Sequence, residues 1–307
     1  MSERTVRAPA KINLHLGVGA PRGDGFHPLV TVYQAVGLHD DVTVREADDW
    51  SVEVAVADWM AGVELPSVAD NIVTRAADLL AAHHGVPRRG AAYVAKAIPV
   101  AGGMAGGSAD AAAALVALDR LWGTQTTDED LLRLAAELGS DVPFALVGGT
   151  ALGTGRGEVV ERVPDAGTWW WVAVPSAEGL STPAVYRHYD AMFPDADPEP
   201  RSADALLAAL AAGDADALAA ALHNDLQAPA LDLRPELGDL IARGEEAGAL
   251  RGLLSGSGPT CLFLCRDGDH ARELAAALDA GDPGDPPHPT VLVANGAVSG
   301  AHLVEYA

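Results

Sequence analysis

The chain has 307 residues, of which 49% are hydrophobic, and its 20 Lys and Arg against 43 Asp and Glu give a formal net charge of −23. A chain of this length and apolar content buries a sizeable core in two lobes or one large α/β unit, which excludes a mainly disordered protein. The acidic balance repels phosphate backbones before contact, so we expect no nucleic-acid partner and only a local phosphate site.

The start of the sequence predicts neither export nor membrane insertion. Met1 to Pro9 reads MSERTVRAP and lacks the apolar segment of a signal peptide. No run of 18 or more apolar residues suits a membrane span. We therefore expect a cytoplasmic protein without a membrane partner, present as a monomer or weak homodimer.

The first 60 residues predict a series of β-strands rather than a nucleotide-binding βαβ unit. Apolar and polar residues alternate there between glycine and proline breaks, as in half-buried strands. The predicted strands are Val6 to Leu16, Leu29 to Val36, Asp41 to Arg45 and Ser51 to Val56.

Helices and strands mix in the middle of the chain. Asn71 to His83 has helical periodicity, with Asp70 as its predicted N-cap. The next predicted elements are a strand at Ala91 to Ala97, helices from about Ser108 to Trp122 and from Asp128 to Leu138 (between Thr127 and Gly139), and strands at Pro143 to Leu152, Glu158 to Val163 and Trp169 to Val174.

The composition changes after these strands, because residues 203 to 248 are mostly Ala, Leu, Asp and Glu in helical phase. The remaining segments predict a strand, a helix and two strands at Gly252 to Cys265, His270 to Leu278, Thr290 to Ala294 and Ala301 to Glu305. Segregated strands and helices indicate an α+β fold. We place a lobe boundary near Ser176 to Pro183, which gives an N-terminal lobe of residues 1–175 and a C-terminal lobe of residues 176–307.

The most informative segment is Ile98 to Ala114, IPVAGGMAGGSADAAAA, where four glycines separate a strand from a helix. Backbone N–H groups of such a loop approach an anion closely, and the helix N-terminus favours its charge, which predicts a phosphate site. The segment lacks the lysine of a Walker loop and the setting of a Rossmann fingerprint. A tightly packed turn without a ligand is the alternative.

A second glycine-rich turn, LSGSGPT at Leu254 to Thr260, precedes a predicted strand. Two such loops far apart in one acidic chain suggest a nucleotide held from two sides. Polar groups elsewhere support a site. Lys11 and Asn13 share one face of an apolar strand, where a lysine needs an anion unless the strand is an exposed edge. Asp141 follows a helix stop and precedes a proline, a rigid frame for a carboxylate, unless it only bonds its own backbone.

With these segments identified, the sequence resembles the GHMP kinase superfamily over nearly the whole chain. The matching segments follow the family's order and spacing: PAKINLHLGV with GDGFHPL, DNIVTRAADLL, IPVAGGMAGGSADAAAAL, LGSDVPFAL and LLSGSGPTCLF. The resemblance implies two α+β lobes with the active site in the cleft between them. It also implies ATP with Mg²⁺ as phosphoryl donor and the 2-hydroxyl of a small molecule, 4-diphosphocytidyl-2-C-methyl-D-erythritol, as acceptor, in the non-mevalonate route to isoprenoid precursors.

The resemblance also assigns residues to roles. Lys11 and Asp141 match the family's catalytic pair, and Asn71 and Lys96 match positions near the adenine. The triphosphate site matches the segment that we call the glycine loop: Pro99, Val100, Ala101, Gly102, Gly103, Met104, Ala105, Gly106, Gly107 and Ser108. Ser108 is also a candidate metal contact, and no other metal ligand is assigned. The cytidine and erythritol ends of the acceptor match Asn13, Phe26, His27, Thr182 and Tyr186, and Tyr33 is a further aromatic candidate near the base.

One residue departs from the family pattern. The family often has tyrosine where this chain has Phe26. Phenylalanine keeps the ring face for stacking on cytosine and loses only the hydroxyl. Two other functions remain open at this point, a homoserine- or mevalonate-type kinase and a non-catalytic nucleotide-bound sensor. The presence of both Lys11 and Asp141 argues against the sensor.

Overall fold

The strands form one mixed sheet. The computed structural model describes residues 3–305 except Glu64, Pro66, Ala101, Ala177 and residues 281–289. Within them the strands are β1 (Glu3–Val18), β2 (Leu29–Arg45), β3 (Trp50–Val56), β4 (Gly90–Lys96), β5 (Thr150–Thr154), β6 (Val159–Arg162), β7 (Trp169–Val174), β8 (His223–Asn224), β9 (Arg251–Leu254), β10 (Cys261–Cys265), β11 (Leu292–Gly296) and β12 (His302–Val304). Their main order is β12-β1-β2-β11-β7-β10-β9. The β3–β4 and β1–β8 pairs are parallel and the others antiparallel.

The helices cover this sheet. They are α1 (Ile72–His84), α2 (Gly106–Trp122), α3 (Asp128–Leu138), α4 (Val142–Val147), α5 (Thr182–Met192), α6 (Asp204–Ala212), α7 (Ala215–Ala221), α8 (Gln227–Leu233), α9 (Pro235–Glu246) and α10 (Gly268–Asp279), with a short 3₁₀ helix at Asp58–Met60. None of the helices in the described ranges is long and apolar enough to cross a membrane. The α+β class predicted from the sequence is confirmed.

Strand β2 continues through the break that the sequence predicted after Val36. Pro9 of β1 faces His39, whereas the next residue, Ala10, faces Val36, so two extra residues of β2 form a bulge. A bulge bends a strand and increases its twist. The first half of β2 pairs with β5 and the second half with β4, which makes β2 the centre of the N-terminal half of the sheet.

Helix α2 lies in the largest hydrophobic core. Its alanines from Ala111 to Ala114 are fully buried, as are Leu115 and Leu118. The helix packs on β1 and β2 and against α1, and small side chains let it approach these elements closely. The sheet and core therefore hold the start of α2, directly after the glycine loop, in a defined place.

Two local predictions in the first 152 residues were wrong. The segment predicted as a strand from Pro143 to Leu152 begins as helix α4 and only then becomes β5. Proline is tolerated in the first turn of a helix, and a short apolar run does not distinguish a strand from a buried helix. The N-cap of α1 is Asn71 rather than Asp70, and its side chain accepts a hydrogen bond from Val73 N.

The C-terminal region returns to the N-terminal half of the sheet. The segment predicted as one strand from Gly252 to Cys265 is a hairpin of β9 and β10. Strand β11 pairs with β7 and contacts β2 at Val36, and β12 pairs with β1. The division into lobes at residues 175 and 176 stays a prediction.

Candidate active site

A cavity of about 1060 Å³ lies among β1, the glycine loop, α5 and the turn between β9 and β10. Most of the predicted site residues line it: Lys11, Asn13, Phe26, His27, Tyr33, Asn71, Lys96, Pro99, Val100, Gly102, Gly103, Ala105, Gly106, Gly107, Ser108, Asp141, Thr182 and Tyr186. Met104 does not, because its side chain is 1% exposed in the hydrophobic core. Ala101 lies outside the described residues.

The backbone of the glycine loop is left-handed at Ala105, directly before α2 begins. Ala105 is the N-cap residue, with φ 57° and ψ 33°, and no side chain caps the helix. Ser108 lies in the first turn of α2 and lines the cavity. The first backbone N–H groups of a helix have no partner within it, so this terminus supplies donors for an anion.

The turn Ser255–Thr260, which we call the SGSG turn, packs directly on the glycine loop. The Ser255 hydroxyl donates to the Gly103 carbonyl at 3.0 Å, and Thr260 N donates to the Gly102 carbonyl at 3.3 Å. A Cβ atom at Gly103 would lie 2.6 Å from the Gly258 oxygen, and φ there is +76°. Only glycine fits this contact. The two glycine-rich segments form one continuous wall of the cavity.

A buried lysine faces a carboxylate in the lining of the cavity. Lys11 Nζ lies 3.2 Å from Asp141 Oδ2 and donates to Asn13 Oδ1 at 2.9 Å. The Lys11 side chain is 8% exposed and that of Asp141 32%. Lys11 N also donates to the Met104 carbonyl, which joins β1 to the glycine loop. The exposed-edge alternative for this strand is wrong.

Asp141 occupies the N-cap position of α4, but its side chain makes no capping hydrogen bond. Its carboxylate is therefore available to face Lys11. Tyr33 lies beside this pair, with its ring 5.2 Å from Lys11 Nζ and 5.0 Å from the Phe144 ring. Burial first and the Asp141 charge second raise the pKa of Tyr33 well above its usual value, so the phenol stays protonated.

The Lys96 ammonium lies between two carboxylates, 2.5 Å from Asp40 Oδ2 and 2.6 Å from Asp110 Oδ2. Burial lowers the pKa of Lys96, but Asp110 and Asp40 outweigh this effect and raise it. Burial raises the pKa of Asp110 to about 8, opposed by Lys96 and reinforced by Asp40. The two carboxylates favour the charged form of Lys96, and the Asp40 carboxylate disfavours the charged form of Asp110, so both pKa values are raised.

Aromatic rings and polar groups gather in another part of the cavity, which we call the His27–Tyr186 end. The His27 and Tyr186 ring centroids are 5.0 Å apart. His27 Nδ1 donates to the Gly19 carbonyl at 2.8 Å, which leaves Nε2 facing Asp190 Oδ1 at 3.4 Å. Burial and then the Asp141 charge raise the pKa of Tyr186, which therefore stays protonated.

Two further contacts close this end of the cavity. The Arg156 guanidinium lies 4.9 Å from the centre of the half-exposed Phe26 ring. The Thr182 hydroxyl at the start of α5 is hydrogen-bonded to the Ser257 hydroxyl of the SGSG turn at 2.7 Å. This end presents flat apolar rings with polar groups at their edges, which suits a nucleobase.

The cavity differs in charge from the rest of the chain. Its described lining has five Lys and Arg residues, Lys11, Arg75, Lys96, Arg156 and Arg187, against the four acids Asp70, Asp110, Asp141 and Asp190. The whole chain has a net charge of −23. Local basic groups and backbone donors therefore make the cavity suitable for phosphorylated ligands, as the sequence required.

The described residues contain no group of three or more His, Cys, Asp or Glu that could hold a metal ion. Asp110 Oδ1 is buried without a hydrogen-bond partner, and Asp110 and Ser108 both line the cavity. Magnesium in such sites is held by one or two protein oxygens together with substrate phosphates. The available oxygens fit this mode, in which the phosphates supply most of the ligands.

Sequence reasoning missed several cavity residues. Asp110 belongs to the glycine-rich motif, but its orientation on α2 was not predictable. Arg156 lies in the glycine-containing turn between β5 and β6, which pair as a hairpin. Asp190 lies one helical turn after Tyr186, so the spacing alone could have identified it as a neighbour.

Comparisons with known proteins agree with this geometry. Residues 71–149 match the family of GHMP kinases N terminal domain, and residues 206–283 match the family of GHMP kinases C terminal. A 4-diphosphocytidyl-2-C-methyl-D-erythritol kinase of Nocardioides sp. is 74% identical over 98% of this chain and 100% of the relative, and one of Thermobifida fusca is 56% identical over 98% of both.

Solved structures show the same similarity. The crystal structure of a 4-(cytidine 5'-diphospho)-2C-methyl-D-erythritol kinase is 32% identical, with a TM-score of 0.76 over 96% of this chain and 98% of that one. A homoserine kinase from Cytophaga hutchinsonii is 19% identical, with a TM-score of 0.74 over 99% and 98% of the two chains. At that identity the likeness extends to the fold alone.

Proposed function

This chain belongs to the GHMP kinase family, and we propose that it transfers the γ-phosphoryl group of ATP to the 2-hydroxyl of 4-diphosphocytidyl-2-C-methyl-D-erythritol, in the non-mevalonate route to isoprenoid precursors. The observation that carries the proposal is the position of the Lys11–Asp141 pair, in one cavity with both the glycine loop and the His27–Tyr186 rings. Relatives with this activity in their names match nearly the full chain. The enzyme is an ATP-dependent kinase.

Phosphoryl transfer requires positioning and charge stabilisation more than covalent chemistry by the protein. Asp141 accepts the proton of the acceptor hydroxyl, since its carboxylate has no capping role and faces the cavity. Lys11, 3.2 Å away, orients the hydroxyl and stabilises the negative charge of the transferred group. Asn13 accepts a hydrogen bond from Lys11 and donates to Thr31, which holds the ammonium in place.

The triphosphate binds at the glycine loop and the N-terminus of α2. Backbone N–H groups from Gly102 to Ser108 are the donors, and Asn71 and Lys96 lie along the same cavity toward the adenine. Mg²⁺ would be held by phosphate oxygens with Ser108 and Asp110, and it would neutralise charge on the triphosphate.

The cytidine end of the acceptor binds among Phe26, His27 and Tyr186, with Thr182 nearby on α5. The ring faces stack on the base, and His27 Nε2, the ring nitrogen not bonded to Gly19, faces Asp190 at the edge of this group. Phe26 lacks the hydroxyl of a tyrosine, so its contribution is stacking, and Arg156 packs on its ring. A monomeric or loosely dimeric state, a cytoplasmic location and the lack of a nucleic-acid partner stay predictions.

A coupled ADP-release assay tests the function. The purified chain is given ATP, Mg²⁺ and the diphosphocytidyl substrate, beside parallel reactions with homoserine, mevalonate or methylerythritol phosphate as acceptor. We expect turnover only with the diphosphocytidyl substrate, since only that acceptor fills the aromatic end of the cavity. Turnover with another acceptor instead would keep the phosphoryl mechanism and reject the substrate, and lack of turnover with all four would reject the kinase.

A further inference from the structure

Asp40 is a fully buried carboxylate that does not line the cavity, yet it touches two parts of the ATP site. It lies on β2 just after the bulge and is 0% exposed. Its neighbour Asp41 points to the other face of the strand and pairs with Arg7 at 2.8 Å. No motif in the sequence distinguishes these two aspartates.

The Asp40 carboxylate accepts three hydrogen bonds. Oδ1 accepts from Ala97 N at 2.7 Å and from Ile98 N at 2.8 Å, and Oδ2 accepts from Lys96 Nζ at 2.5 Å. Ala97 and Ile98 are the two residues directly before Pro99, where the glycine loop begins. Hydrogen bonds to a charged group are the stronger kind, so this carboxylate fixes the start of the loop.

Contacts from the same residues reach the end of the glycine loop. A Cβ atom at Gly106, the first residue of α2, would lie 3.2 Å from Ile98 Cγ2 and 3.5 Å from Lys96 Nζ. Lys96 also donates to Asp110 on the next turn of α2. Asp40 therefore controls the positions of Lys96 and Ile98, which pack against the residue where the phosphate-binding helix starts.

The charge of this cluster argues against a role in stability alone. A buried ion pair often contributes little net stability, and Asp40 with Asp110 leaves the Lys96 ammonium without a net positive charge to offer. Because these two acids surround it, the Lys96 ammonium attracts a triphosphate less than an unpaired lysine would. The cluster is explained, despite this electrostatic disadvantage, if it holds the glycine loop in a geometry that favours ATP binding.

We propose that Asp40 is a positioning residue for ATP: it holds the start of the glycine loop and the Lys96 ammonium in the arrangement that binds the triphosphate and adenine. The proposal rests on the proposed function, in that ATP is the ligand of the glycine loop. Asp40 itself touches no substrate. Its loss affects ATP selectively, because its contacts lead to the glycine loop and not to the His27–Tyr186 end.

Asp40→Asn tests the proposal, with Asp41→Asn on the same strand as the matched control. Asparagine keeps an oxygen for the Ala97 and Ile98 N–H groups but turns an N–H₂ donor toward Lys96, which cannot accept. We expect the KM for ATP to rise about 10- to 100-fold, as for loss of a hydrogen bond to a charged group. The KM for the diphosphocytidyl substrate should change less than twofold, and Asp41→Asn should leave both constants unchanged.

The direction of the change in the KM for ATP distinguishes a positioning role of Asp40 from a purely electrostatic one. If the Asp40 charge acted only through space, its removal would tighten ATP binding, and an unchanged or lower KM for ATP overturns the proposal. Equal increases in both KM values, with a lower melting temperature, would also overturn it and indicate a structural role. Titration calorimetry with ADP measures the same effect without turnover, so the result stands apart from the identity of the acceptor.

Asp40→Glu provides a second test in case the asparagine variant does not fold. Glutamate keeps the charge but adds a methylene in a site with no exposed surface, so the Ala97–Ile98 backbone must move. We expect weaker ADP binding by at least about fivefold in the folded variant, as for loss of about 1 kcal/mol of interaction. Wild-type affinity for ADP in this variant contradicts the proposal.

Discussion

The Ser255 hydroxyl donates a hydrogen bond to the Gly103 carbonyl at 3.0 Å, although the two residues are 152 positions apart in the chain. This bond joins the SGSG turn to the glycine loop. Backbone N–H groups bind phosphate only where the peptide planes are held in the right orientation. The C-terminal half of the chain thereby contributes to the shape of the phosphate site.

Ser255→Ala removes this bond and leaves the Gly103 carbonyl without that partner. We expect the KM for ATP to rise about three- to tenfold, and the free energy of unfolding to fall by about 1 kcal/mol, as for loss of one neutral hydrogen bond. Steady-state kinetics and urea unfolding measure the two effects. Ser202→Ala is the control, because the Ser202 hydroxyl also bonds to the backbone, as the acceptor from Asp204 N, but lies outside the cavity. A KM for ATP equal to that of the control would reject the role of the bond.

Asp141→Asn removes the proton acceptor but keeps the size of the side chain. We expect kcat to fall about 10²- to 10⁴-fold, the usual range for loss of a general base. Both KM values should change much less, since Asp141 makes no capping bond that shapes the cavity. Single-turnover kinetics with the folded variant measure the chemical step. Near-native turnover would show that Asp141 is not the proton acceptor.

Tyr186→Leu removes one ring from the aromatic end of the cavity. Stacking of an aromatic ring on a base contributes about 1–3 kcal/mol, so we expect the KM for the diphosphocytidyl substrate to rise about 5- to 150-fold. The KM for ATP should stay within twofold. Tyr93→Leu is the matched control, because Tyr93 is 42% exposed and outside the cavity. An equal effect on both substrates would place Tyr186 in core packing instead.

Ala105→Gly relieves the left-handed backbone at the start of α2. The left-handed conformation costs a residue other than glycine about 1–2 kcal/mol. The gain in stability from glycine is smaller than this cost, because glycine has more conformational freedom in the unfolded chain. We expect the variant to be more stable by about 0.5–1 kcal/mol in urea unfolding. Gly123→Ala is the mirror experiment, because φ there is +67° and a Cβ meets open space. Gly123→Ala should be destabilised by a similar amount. If the free energy of unfolding changed with the same sign in both variants, the argument would be contradicted.

Asp119 makes stability depend on pH in acid. Burial alone raises the pKa of Asp119, but bonds from the Thr126 hydroxyl and amide and the Thr124 hydroxyl outweigh it, so the folded value is below 3.8. A carboxyl pKa that is lower in the folded than in the unfolded chain stabilises the fold at every pH above the unfolded-state pKa. This stabilisation is lost as the pH falls through the folded-state pKa.

The corresponding variant is Asp119→Asn. We expect it to be destabilised by about 1–3 kcal/mol at pH 7, and the difference from wild type to shrink below pH 3.8. Urea unfolding at several pH values between 3 and 7 measures this difference, with Asp48→Asn, an exposed residue, as control. A constant difference across that range would exclude the ionised carboxylate as its cause.

Elements with strong local signals were predicted well. Helix α3 runs from Asp128 to Leu138, as predicted, because the Thr127 side chain caps it and Gly139 ends it. Helix α4 was missed because VPFALV has only six residues and Asp141 makes no capping hydrogen bond, so its periodicity does not separate helix from strand. The bulge in β2 was missed for a related reason, since a glycine in a strand indicates either a break or a bulge.

The candidate site likewise combines residues with strong sequence signals and residues without any. The glycine loop, Lys11 and Asp141 stood out because a rare residue type or spacing marks each of them. Asp40, Arg156 and Asp190 carry no such mark, and their importance arises from contacts with residues far away in the chain. A fully buried aspartate on a strand looks the same in sequence as its partly exposed neighbour.

The sequence by itself determined the local features: the glycine spacing that permits close backbone approach, the apolar periodicities of the strands and α2, and the caps of α3. The tertiary structure alone decided which of these features meet. It placed Lys11 3.2 Å from Asp141, and it brought the SGSG turn onto the glycine loop. The physical reason is that hydrogen-bonded turns and periodic faces depend on neighbouring residues, whereas the cavity depends on how the sheet, with β2 at its centre, arranges elements that are remote in sequence.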